Sequence, residues 1–204
     1  MPTHTKHLLV EDSATKYAVI ELMRQHISWG KNPHEWPVNV EALGGVDNVL
    51  DKPKLKVKFK ESELASLGLI VDADSDFGRR WKAIQDICSA LGGNPPRTCP
   101  ENGLDLEIDG KRFGVWIMPD NQSAGMIETF CRVLVPESER KLWDFAGECV
   151  QGAKKIKAPF KNNHIDKAHI HPQRALETPP FTEGRNALSL LLDVANEYPY
   201  PSAL

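Results

Sequence analysis

Apolar residues along the chain alternate between short, nearly unbroken runs and rows at helical spacing. The run Leu67 to Val71 is flanked by Ser66 and Asp72 and is too short for a helix, so it reads as a central strand of a parallel sheet, buried on both faces. His7 to Val10 is a similar, shorter run, and Val38 to Leu43 alternates as a strand that stops at Gly44-Gly45. Between them, Ala14, Tyr17, Ala18, Ile20, Leu22 and Met23 are spaced for a helix that Asp12 or Ser13 can cap, fading between His26 and Gly30. Val46 to Leu50 starts a short helix that the charged run from Lys52 to Lys60 interrupts. A longer helix runs from Phe77 to about Leu91, with Trp81, Ile84, Ile87, Cys88 and Leu91 on one face.

The order β-α-β-α-β-α predicts an α/β fold: a parallel sheet sandwiched between helices on both faces. Beyond the loop at Gly92 to Pro96, the segments Leu104 to Ile108 and Arg112 to Met118 flank Asp109-Gly110 and read as an inserted β-hairpin. Helices are expected around Met126 to Phe130 and from about Ser138 to Gln151, followed by helical segments at Asn162 to Leu176 and Arg185 to Asn196. The chain is thus expected to be one domain, with a core over residues 6–135 and a C-terminal helical elaboration over residues 136–204.

Composition narrows the function classes only slightly. The 204 residues carry a formal net charge of -3, so binding to a polyanion would need a local basic patch, and Lys154, Lys155, Lys157 and Lys161 are the candidates. The four cysteines are widely spaced, without a zinc-ribbon or redox pair, and fit reduced thiols. With no stretch of 18 apolar residues and no leader-like start, the expected location is cytoplasmic, without membrane contact.

The acids carry the sharper signal. Glu11 follows the first strand and Asp72 and Asp74 follow the third, so all three can meet at the carboxyl edge of the sheet, where α/β proteins bind ligands. Collected negative charge there calls for a cation, and an all-oxygen donor set points to Mg²⁺, with Mn²⁺ as the alternative. Such a site can orient a phosphate and activate water. The plainer role for some of these acids, and for Asp12 and Asp76, is to cap the helices that follow. His164, His169 and His171 lack zinc spacing. Trp81, Trp116 and Trp143 fall in core patterns, whereas Trp29 and Trp36 flank a loop and are expected to be exposed.

Leu8-Leu9-Val10-Glu11, with Ile70-Val71-Asp72-Ala73-Asp74, resembles the Glu and Asp-x-Asp motifs of the Toprim fold of topoisomerases, primases and overcoming-lysogenization-defect nucleases. Gly114 to Gln122, Gly125 to Glu128 and Lys167 to His171 resemble a family of small Toprim-like proteins known only as a domain of unknown function. The resemblance implies a Mg²⁺-dependent phosphodiester or phosphoryl-transfer activity, nuclease-like, on a nucleic acid or another phosphate. Glu11 would be a metal ligand or general base, and Asp72 and Asp74 metal ligands. Glu128 would complete the shell, Lys167 would offset charge on the leaving phosphate, and Lys167 and His171 would contact the substrate. One departure is Asp12, where Toprim proteins often have Gly, which narrows the room for a phosphate. The alternative is a noncatalytic module that binds a partner protein such as an ATPase, since the chain has no Walker sequence of its own. A receiver-like phosphoacceptor at Asp72 is weaker, because Ala73-Asp74-Ser75 lacks the receiver's Met-Pro turn, and a haloacid-dehalogenase-like reading would place Asp-x-Asp after the first strand.

Overall fold

A computed structural model describes residues 4–156. The chain divides into two compact units, Met1–Ile127 and Glu128–Leu204. In the first, a five-stranded sheet is ordered β2-β1-β3-β5-β4. Its strands are β1 (Lys6–Val10), β2 (Asn39–Ala42), β3 (Ser66–Asp72), β4 (Leu104–Ile108) and β5 (Lys111–Met118). The pairs β1-β2, β1-β3 and β3-β5 are parallel, and β4 alone runs antiparallel, against β5. The mixed α/β class expected from the apolar pattern is therefore observed.

Alternating side chains split the core between the two faces of the sheet. Leu9, Leu67, Leu69, Val71, Phe113, Val115 and Ile117 point to one face. They pack against α2 (Val46–Val49), α3 (Lys52–Phe59) and α4 (Phe77–Ala90), which supply Val49, Leu55, Phe59, Trp81, Ile84, Ile87 and Cys88. Val10 and Val40 point the other way and meet Ile20 of α1 (Ser13–Arg24). β3 is thus fully buried on one face and only half-buried on the other, at Gly68 and Ile70, rather than buried on both. Tyr17, placed in the apolar row of α1, is exposed.

The short helix from Val46 stops at Val49 before the charged run, as expected, but the run after Asp51 forms a helix of its own. Asp51 accepts the Lys54 N–H as an N-cap, Pro53 sits in the first turn, and Leu55 and Phe59, four residues apart, anchor the helix to the core while Lys52, Lys54 and Lys56 face water and Lys58 reaches Glu41 at 3.0 Å. Two apolar anchors suffice. Trp29 and Trp36, expected to be exposed, are half-buried with ring centroids 6.0 Å apart and pack beside Val10, Ile20 and Val40. The four cysteines are all free thiols.

In the second unit, α5 (Ile127–Cys131) crosses the boundary and α6 (Arg140–Lys155) is a 16-residue amphipathic helix. Trp143, Ala146 and Val150 form its buried stripe. No helix among the described residues is long and apolar enough to cross a membrane.

Candidate functional site

Strand order determines where a site can form. The chain passes from β1 to β2 on one side, and β3 then lies on the other side of β1, so the connections diverge between β1 and β3. In open α/β sheets the crevice at the carboxyl ends of such a strand pair is the usual ligand position. Val10 is registered with Ile70, which places Glu11, one residue beyond β1, beside the end of β3. Across 61 positions of sequence, Glu11 Oε1 accepts the Asp72 backbone N–H at 2.8 Å.

The loop after β3 has an unusual shape. Asp74 takes a left-handed backbone conformation, with φ of 54°, which Asp tolerates better than most residues. It is held there by a two-way backbone pairing with Gly125: the Asp74 N–H donates to Gly125 at 2.8 Å, and the Gly125 N–H donates back at 2.7 Å. The Ile127 N–H donates to Asp72 Oδ1 at 3.1 Å. Strained backbone of this kind persists where surrounding contacts over-determine it, and it concentrates at functional sites.

Arg80, on the first turns of α4, completes the arrangement. Its Nε donates to the Asp72 carbonyl at 2.6 Å and its Nη2 to Asp74 Oδ2 at 2.7 Å. The residue is only 7% exposed, so its permanent charge is withdrawn from water and compensated by these acceptors. Burial is the largest influence on Glu11 and raises its pKa above the ordinary value; the Asp72 hydrogen bond and Arg80 oppose the rise, and Asp74 and Asp12 add to it. A carboxyl so placed is disposed to take up a proton.

Two of the five acids have structural roles. Asp12 caps α1 through the Thr15 N–H and hydroxyl, at 2.8 and 2.9 Å, and Asp76 caps α4 through the Arg79 N–H at 2.9 Å. Glu11, Asp72 and Asp74 remain, and they offer only oxygen donors, the chemistry that suits a hard cation. Their arrangement is not a finished cage: among the described residues no group of three His, Cys, Asp or Glu side chains stands ready to hold a metal ion. Asp74 is turned to Arg80, and Glu11 and Asp72 to backbone donors. Glu128 is a buried acid of the second unit, in α5. Lys167, His171, the histidines at 164 and 169, and Lys157 and Lys161 lie outside the described residues.

A family model matches residues 5–197. The chain belongs to the family described as Protein of unknown function (DUF3226). No curated protein and no solved structure gives a match. Sequence reasoning missed the residue of this DUF3226 chain that most changes the picture, Arg80. Its only sequence signal is its place four residues after the Asp76 cap, on a turn of α4 that faces back toward β3. A groove of about 440 Å³ lies beside β4, at the amino ends of β3 and β5, lined by Ala65, Asp105, Leu106, Glu107, Gly110 and Arg112. This groove and the acids lie at opposite rims, and the strand crossover and buried charge favour the acidic one.

Proposed function

We propose that the carboxyl edge between β1 and β3 is a Mg²⁺-dependent phosphoryl-transfer site, nuclease-like in chemistry, of the kind its resemblance to Toprim proteins implies. The observation that carries this reading is the contact of Glu11 with the Asp72 backbone at the strand crossover, beside Asp74. Glu11, Asp72 and Asp74 would hold the cation, with Glu128 as a further donor from the resemblance, provided Asp74 gives up its bond to Arg80. When bound, the cation supplies a hard electrophilic contact for a phosphate oxygen. In the alternative role, as general base and not as ligand, Glu11 would accept the proton of an attacking water at its carboxylate. Lys167 and His171 are the proposed phosphate contacts, and the substrate is a nucleic acid or another phosphate.

Incubation of the full chain with single- and double-stranded DNA and RNA, in Mg²⁺ or Mn²⁺, tests the reading. Cleavage that falls about 100-fold or more in Asp72→Asn is the expected result, in line with loss of an electrostatic contact at a transition state. No product from any of these nucleic acids with either metal overturns the nuclease-like reading. The Arg80 to Asp74 ion pair favours a second reading, a noncatalytic module whose acids are neutralised internally and which binds a partner protein such as an ATPase. That module would retain partner binding in Asp72→Asn.

A further inference from the structure

Arg80 carries a further inference, which rests on the cation reading above. Its guanidinium cannot lose its proton, so it acts as a permanent cation at the place where a metal would have to approach Asp74. The two ends of this contact differ in burial: the Arg80 side chain is 8% exposed and that of Asp74 is 35% exposed, so Asp74 is open to solvent where Arg80 is almost wholly covered. The two bonds of Arg80 also differ in kind. Nε grips a backbone carbonyl, that of Asp72, whereas Nη2 grips a side chain that can rotate. The second bond can therefore break while the first holds the arginine in place. A dication and a guanidinium drawn to one carboxylate repel each other strongly in a partly buried setting. Arg80 also offsets negative charge at Glu11, so it weakens the pull on any incoming cation beyond Asp74 itself.

We propose that Arg80 is a built-in competitor for the divalent ion, so that cation entry requires the Asp74 carboxylate to leave the guanidinium. The opposite role is an outer partner that steadies Asp74 for the metal, in which case removing Arg80 would weaken binding. Calorimetric titration of the full chain with Mn²⁺ separates the two. Arg80→Met is expected to bind Mn²⁺ at least about tenfold more tightly than the wild type, and Arg80→Lys, which keeps the charge without the fork, to fall between them. Affinity in Arg80→Met that equals or falls below that of a wild type that does bind Mn²⁺ overturns the competition and leaves the cation reading intact. Absence of uptake by both proteins overturns both.

Should Arg80→Met not fold, side-chain NMR of the intact wild type decides the matter. With arginine labelled in the guanidinium, the Nη signals of Arg80 are expected to be separately resolved without metal and to average as Mg²⁺ is added. Signals that stay resolved at saturating Mg²⁺ refute the exchange.

Discussion

The two rims of the sheet hold the same chemical pair in opposite settings. At the amino rim, Arg112 grips Asp105 with Nε and Nη2, and the two side chains are 71% and 52% exposed. At the carboxyl rim, Arg80 grips Asp74 and the Asp72 carbonyl with its side chain 8% exposed. The Arg112 fork has the better geometry, yet water and salt screen it, so it contributes little. Arg80, with its side chain 8% exposed, is screened far less. Removing it strands acceptors and negative charge that water reaches only in part. Position in the sheet, more than the bonding pattern, decides which arginine matters.

Several substitutions put that comparison under strain. The largest effect is expected at the buried layer behind the acidic rim: Ile84→Ala on α4, at a fully buried position, should lower unfolding free energy by about 3 kcal/mol in urea titration. Arg80→Met should lower it by about 2 kcal/mol, with part of the loss recovered in the double variant with Asp74→Asn. Arg112→Met should leave the urea midpoint where it was, and a loss matching that of Arg80→Met would remove the distinction between the rims. The caps come next. Asp12→Ala and Asp76→Ala should each lower stability by about 1 kcal/mol, because both carboxylates serve helix N-termini, and Asp76→Ala should do so without changing divalent-ion affinity.

The smallest effect is a pH dependence. Glu11 has its pKa raised in the folded protein, so folding favours its protonated form. Its contribution is therefore most favourable at low pH, and it declines as pH rises through the ordinary value near 4.5 toward the raised folded value. Glu41 runs the other way. Burial pushes it up, but hydrogen bonds and charge from His7 and Lys58 outweigh that and hold it below its ordinary value. Its stabilisation is complete above the ordinary value and is lost as pH falls through the depressed one. Glu11→Gln should flatten the decline on the rising side of pH 4.5, and Glu41→Gln should remove the loss on the acid side, both read from thermal midpoints across pH.

The parts of the fold that were legible in the sequence are those where one local pattern dominates. β3 is a short apolar run, α4 has a row of apolar residues at helical spacing, and all five residues expected on its inner face are buried. The nearness of Glu11 to Asp72 followed from the order of strands, since successive parallel strands place their carboxyl ends on one rim. Local chemistry also marked Asp12 and Asp76 as candidate caps, each just ahead of a helical pattern. α3 was hidden because its lysines mask a two-residue apolar anchor, Leu55 and Phe59. The half-burial of Trp29 and Trp36 depends on α1 and β1, which no local pattern near the tryptophans encodes. Arg80 was hidden for the same reason: its partners lie six and eight residues back, beyond a turn in left-handed geometry at Asp74.

The central claim is that Glu11, Asp72 and Asp74 share a divalent ion at the crevice between β1 and β3. Crystals of the full chain soaked in Mn²⁺ and measured at the manganese absorption edge test it directly. The account predicts an anomalous peak in coordination range of the Glu11 and Asp74 carboxylates, with the guanidinium of Arg80 withdrawn from Asp74. Ordered carboxylates at full Mn²⁺ load with no peak among them, and Arg80 still bound to Asp74, would contradict it.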